Sequence, residues 1–233
     1  YDCLIFDVAF EKNEEFTNEG IKNIGNVCEF KERYQNLKRN ANERHKFAIN
    51  ASINDLSELL LDIIPKFLIP TAPVHIMAEI LKTRYYNLLN ETIVSDHDFE
   101  AIVSQRLKEI PENLNVVNQN FKSFYYSYAT FDEVCPEDCP GPVGYCPNFL
   151  RKKPITVSDF VKTLFSFSTS EYQPVFFEST QIIPGLGGIE SCNLKDGLEK
   201  IMQTLQNPKL VKKIIISTTC NCHGVSSVYT LLH

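Results

Sequence analysis

The run KIIIS, Lys213–Ser217, is followed at once by TTCNCH, Thr218–His223. Three consecutive isoleucines fit a strand better than one face of a helix, and the absence of alternation marks a strand covered on both faces. Working outward, similar runs occur at Cys3–Val8 (CLIFDV), Lys66–Ile69 (KFLI) and Pro174–Phe177 (PVFF). Lys46–Asn50 (KFAIN) and Phe124–Thr130 (FYYSYAT) also read as strands.

Helical patterns separate these runs. Leu56, Leu59, Leu60 and Ile63 share one face over Asn54–Ile64. Ile21 to Leu37 carries a similar spacing, weakened at Gly25, and Pro73 can open a helix bearing Val74, Met77, Ile80 and Leu81. Ser95 and Asp98 resemble a capping box before Phe99, Val103 and Leu107. Two more helices are predicted near Ser158–Phe165 and Leu194–Leu205.

Strand–helix alternation predicts an α/β fold: a Rossmann-like, open, mainly parallel sheet with helices on both faces, in a single domain over residues 1–233. Leu114–Val117 and Phe124–Thr130 suggest an antiparallel hairpin, which with a cysteine- and proline-rich loop makes an insertion at about 112–153. The dinucleotide fingerprint is missing after the first strand. The glycine cluster Gly185, Gly187 and Gly188 precedes a helix, where backbone N–H groups can meet the phosphate of a nucleotide-type cofactor.

Charge and composition exclude some classes. With 23 basic and 29 acidic residues the net charge is −6, and no basic patch marks nucleic-acid binding. The run Arg151-Lys152-Lys153 reads as a solvated loop. No apolar stretch reaches the roughly eighteen residues of a membrane helix. Of eight cysteines, six follow residue 134, and a chain of 233 residues needs no disulfide staples. A reducing, cytoplasmic setting is expected, with Cys3 and Cys28 as small buried hydrophobes. Disulfide pairing is the competing reading, which the sequons at Asn50 and Asn90 would accompany in an extracellular domain.

Ligands of open α/β sheets bind beyond the carboxyl ends of strands. Thr71 and His75 follow one proposed strand, Asp132, Glu133 and Cys135 another, Glu178, Ser179, Thr180 and Gln181 a third. Thr218 to His223 follow the fourth. In parallel strands these groups converge on one crevice for a small-molecule ligand. Thr71, Thr180 and Thr218 would hold cofactor or substrate there, although polar residues also serve merely to cap strand ends.

Cys135, Cys139 and Cys146 are spaced C-x₃-C-x₆-C, each before a proline that stiffens the loop. Together with Cys220, Cys222 and His223 they suit zinc or an iron–sulfur cluster, with Cys192 a further candidate ligand. Cys220 and Cys222 are also candidate nucleophiles if a short helix begins near Gly224, since a helix N-terminus favours the thiolate. His75 is a candidate acid or base, against the reading of a histidine satisfied by nearby backbone. Two functions follow as expectations: a small-molecule-transforming enzyme, or a non-catalytic scaffold with structural zinc. Either admits a homo-oligomer.

Overall fold

The computed structural model describes residues 3–7, 22–24, 26–37, 46–70, 75–91, 110–119, 123–166, 172–206 and 211–232. They fall into two compact units, Tyr1–Ile63 and Ile64–His233. In the first, β1 (Cys3–Asp7), β2 (Lys22–Ile24) and β3 (Lys46–Asn50) form a parallel sheet in the order β1-β3-β2. Helices α1 (Val27–Leu37) and α2 (Ile53–Asp62) accompany it. Phe30, Phe47, Ile49 and Leu59 make the core, with the Phe30 ring edge-on to Phe47 at 5.6 Å. Ser52 caps α2: its hydroxyl accepts from the Asp55 N–H, and the Asp55 carboxylate accepts from the Ser52 N–H. Cys28 is exposed, so its expected role as a buried hydrophobe does not hold.

The second unit holds β4 (Phe67–Leu68), β5 (Leu89–Glu91), β6 (Asn115–Gln119), β7 (Ser123–Ser127), β8 (Tyr145–Cys146) and β9 (Arg151–Lys152). They are followed by β10 (Tyr172–Ile183), β11 (Leu186–Glu190), β12 (Lys213–Thr219) and β13 (His223–Leu231). Its helices are α3 (Ile76–Arg84), α4 (Val157–Leu164) and α5 (Ser191–Gln206). Seven strands run in the order β4-β11-β10-β12-β13-β7-β6, and β5 pairs with the far end of β13 to make an eight-stranded sheet.

This sheet overturns the expectation of a Rossmann-like, mainly parallel sheet with helices on both faces. Among the described residues only β10 and β12 pair in parallel in it; every other pairing is antiparallel. Ile214, Ile215, Ile216 and Ser217 are all buried, so the apolar run was read correctly as covered on both sides. That burial carries no information about direction. Direction is set by the turn after Thr219, far too short for a parallel crossover, which folds β13 back on β12 with Thr219 opposite Gly224. The helix expected near Gly224 is therefore a strand. The expected hairpin of Leu114–Val117 with Phe124–Thr130 is present as β6 and β7.

Side chains alternate across β12. Ile215 joins Phe124, Tyr126, Phe160, Val161 and Val228 in the core under α4, and Thr219 on the same side meets Ser158 of α4 at 3.0 Å. Thr218 points the other way, to His75 at the start of α3. Gly197 lets α5 press onto the Phe177 ring of β10. No helix among the described residues is long and apolar enough to cross a membrane.

Candidate functional site

Two local features aim the CNC turn, residues 220–222. The turn is closed by the Cys220 N–H donating to the His223 carbonyl at 2.8 Å, and the Tyr128 N–H holds the Cys222 carbonyl at 3.1 Å. Helix α4 supplies the rest. Its first two N–H groups, Val157 and Ser158, would lack intrahelical acceptors; they donate to the carbonyls of Asn221 and Cys220 at 3.2 and 3.1 Å. Thr156 caps the next free donor, the Asp159 N–H, at 3.0 Å. The helix expected to follow the thiols is strand β13, and it is the N-terminus of α4 that fixes the backbone carrying them.

The proline-rich loop docks against the same place. Cys139 offers its carbonyl to the Gly185 N–H at 2.9 Å and to the Gln181 amide at 2.8 Å. Asn221 donates to the Gly141 carbonyl at 3.0 Å. At the base of the loop, Arg151 binds both carboxylate oxygens of Glu133 and the Tyr128 carbonyl. Gly185 has φ +79, and any Cβ there would overlap the Glu137 carbonyl, so glycine is required for the hairpin tip to meet the loop.

The result is a crevice of about 410 Å³ at the carboxyl end of β12 and alongside the overhanging part of β10. Cys135, Cys139, Cys220, Cys222 and His223 line it, with Thr180, Gln181 and Asn221. The two cysteine clusters, some eighty residues apart, share one site. Gly185 and Gly187 also line it, as members of the β10–β11 hairpin. Gly188 packs near Ile182, Ile69 and the Leu68 carbonyl. Cys146 is buried in β8 and does not line the crevice, and Cys192 is exposed at the start of α5 with Glu190 at 3.8 Å.

Each thiol has a distinct setting. The Cys222 sulfur accepts a hydrogen bond from the Lys153 ammonium at 3.0 Å, and the same ammonium donates to the Pro142 carbonyl. Lys153 is only 3% exposed. The solvated-loop reading of Arg151-Lys152-Lys153 fails at this residue, which the sequence does not distinguish from Lys152. Cys220 accepts the His223 N–H at 3.3 Å, yet close protein surroundings push its thiol above the usual value; N–H donors and Lys153 oppose this less strongly. Cys135 is raised mainly by burial and then by the sulfurs of Cys139, Cys222, Cys146 and Cys220. Its sulfur lies 3.7 Å from His223 Nε2. His223 keeps an exposed edge, but desolvation of the rest lowers its pKa below 6.5, with the Lys153 charge adding to the effect.

No group of three or more His, Cys, Asp or Glu among the described residues is arranged so that it could hold a metal ion. The expectation of a metal-binding, zinc or iron–sulfur protein built on Cys135, Cys139, Cys146, Cys220, Cys222 and His223 is corrected accordingly. The Cys222 sulfur accepts from the Lys153 ammonium at 3.0 Å, and the Cys135 sulfur lies 3.7 Å from His223 Nε2. The seven cysteines whose side chains are described, all but Cys3, are free thiols.

His75 and Thr218 are brought together, but away from the crevice: Nε2 lies 3.0 Å from Thr218 Oγ1 and Nδ1 lies 2.9 Å from Ser227 Oγ. Burial drives the His75 pKa down to about 3. Thr71 lies outside the described residues, as does the helix predicted after Ser95.

Comparison with known proteins places the second unit. No solved structure matches the chain. An uncharacterized protein of Archaeoglobus fulgidus is 28% identical over 170 residues, which are 71% of this chain and 66% of that protein. The chain thus spans just under two thirds of the relative's length. Residues 77–232, covering nearly all of the large sheet and both cysteine clusters, match the family model AF_1314_C, described as "Uncharacterized protein, C-terminal domain". The chain belongs to that family.

Proposed function

We propose that this chain is an enzyme that transforms a small molecule in the cysteine-lined crevice, with Cys222 as nucleophile. The observation that carries the reading is the buried Lys153 ammonium donating to the Cys222 sulfur. A buried ammonium is costly unless it is bonded, and a sulfur bearing negative charge is its strongest available acceptor there. Lys153 thus anchors and orients the Cys222 sulfur at the crevice. His223, neutral near pH 7 and open to the crevice, can take up or return a proton during the reaction. Gln181 and Asn221 hold the loop and the Thr180 hydroxyl donates to the Gly188 carbonyl at 3.4 Å, which leaves Ser179 and the acceptor side of Thr180 on the wall for orienting a ligand. The volume suits a small molecule. The scaffold alternative asks for a closed ligand set remote from any pocket, whereas these thiols face one.

Site-resolved alkylation with iodoacetamide at pH 7 tests the reading. Cys28 and Cys192 are exposed and serve as internal references. Cys222, less exposed than either, is expected to react faster. Lys153→Met is expected to slow it by about tenfold or more, the equivalent of one charge-assisted hydrogen bond of about 1.5–3 kcal/mol. Cys222 reacting no faster than Cys28 in the native protein would overturn the proposal.

A further inference from the structure

The CNC turn places two thiols one residue apart, and they are not equivalent. Cys222 accepts from the Lys153 ammonium at 3.0 Å, while Cys220 accepts the His223 N–H at 3.3 Å. Both line the crevice. The turn backbone is held by α4 and by Tyr128, so the separation of the two residues is fixed by the fold as well as by the chain. Beside them stands an imidazole whose Nε2 reaches into the crevice as far as Cys135.

We infer that Cys222 and Cys220 form a dithiol that reduces small-molecule disulfides, Cys222 attacking and Cys220 resolving. The inference rests on the reading of Cys222 as the crevice nucleophile. The Cys222 thiolate attacks one sulfur of a disulfide R–S–S–R′. The S–S bond breaks, a Cys222–R mixed disulfide forms, and R′–S⁻ departs and takes a proton. Cys220 then loses its proton to solvent in the crevice and attacks the Cys222 sulfur. R–S⁻ leaves and takes a proton from solvent. Two electrons pass from the dithiol to the substrate, and two thiols, R–SH and R′–SH, are released. Their two protons replace those lost from Cys222 and Cys220. A low-molecular-weight dithiol returns the Cys220–Cys222 disulfide to the reduced form.

The asymmetry suits these roles. An attacking sulfur must be reactive while free, and Lys153 serves it. A resolving sulfur must stay protonated until the mixed disulfide forms, and the burial that holds the Cys220 thiol up does this. Its N–H donor is then in place for the thiolate that attacks.

Oxidised glutathione is the probe, used on the full reduced chain with peptide mapping by mass spectrometry. The wild type is expected to form a Cys220–Cys222 disulfide and release two glutathiones. Cys220→Ser is expected to stop at a stable glutathione adduct on Cys222. Cys222→Ser is expected to lose at least tenfold in the rate of glutathione release. Dithiothreitol should then restore the wild type, giving steady turnover with hydroxyethyl disulfide. Rapid iodoacetamide labelling of Cys222 without any Cys220–Cys222 disulfide would overturn this inference and leave the nucleophile standing. Slow labelling together with no glutathione adduct would overturn both. A wild-type disulfide formed between Cys135 and Cys139 instead would assign the exchange to the wrong pair and also overturn it.

Discussion

Acidification from pH 7 to pH 5 should cost this protein about 2 kcal/mol through His75 alone. The imidazole is 6% exposed, both nitrogens face hydroxyls, and among the described residues no carboxylate partners it to offset the loss of water. Its folded pKa is about 3, caused by desolvation, against an unfolded value near 6.5. The unfolded chain therefore binds one more proton than the native chain between those two values. Stability from neutral His75 is complete above about pH 6.5 and is lost as pH falls towards 3, at about 1.4 kcal/mol per pH unit. Two hydroxyls can accept from a protonated ring, so the penalty is one of burying charge and not of losing hydrogen bonds. Urea unfolding of wild type and His75→Gln at pH 7, 6 and 5 isolates the effect, because Asp55, Asp132, Glu133 and His223 titrate in both proteins. The variant should be less stable at pH 7, and the gap should shrink by about 2 kcal/mol by pH 5. A gap independent of pH would refute the argument. Should the variant not fold, the His75 ring resonances of the wild type supply the same test: they should stay at their neutral positions down to pH 5, and a midpoint near 6 would refute it.

Gly185→Ala should cost at least about 2 kcal/mol, since it adds a left-handed backbone penalty to an overlap with the Glu137 carbonyl; it should also speed proteolysis of the 131–150 loop. Gly197→Ala drives a methyl into the Phe177 ring, whose Cζ would lie at 2.7 Å, and should lower stability by about 1–3 kcal/mol in thermal unfolding without altering thiol reactivity. Thr156→Ala removes the cap of α4 and should cost about 1 kcal/mol. Because α4 also holds the Asn221 and Cys220 carbonyls, hydrogen exchange at Val157 and Ser158 should rise in that variant.

How much of this was legible depended on what each residue advertises. KIIIS reads as a doubly covered strand, and Ile214 to Ser217 are buried as that reading requires. The next strand was invisible because its centre carries Ser226 and Ser227, polar letters that signal a loop. In the sheet they are buried and paired, Ser226 with Ser217 at 2.7 Å and Ser227 with His75 and Ser123. Missing β13 turned an antiparallel sheet into a parallel one on paper. The meeting of the two cysteine clusters survived that error, because it needed only that the residues after β12 and the proline-rich loop reach one end of the sheet. Lys153 was hidden for the opposite reason. Its burial comes from the register of β8 with β9, Cys146 against Arg151, and from the loop folding over it, neither of which leaves a local signal. Cys–His pairs are usually distant in sequence, and the described contact follows that pattern: His223 reaches Cys135, not its neighbour Cys222.

Everything functional proposed for this chain requires that residues 135–139 and 220–222 face one another across a single crevice. Cross-linking with a short bis-maleimide, followed by peptide mapping, measures this directly. In the native protein Cys135 or Cys139 should be bridged to Cys220 or Cys222, and the bridge should disappear in urea. Bridges confined to the 135–146 loop, or thiols that stay unreactive until a chelator strips a tightly held metal ion, would contradict the account.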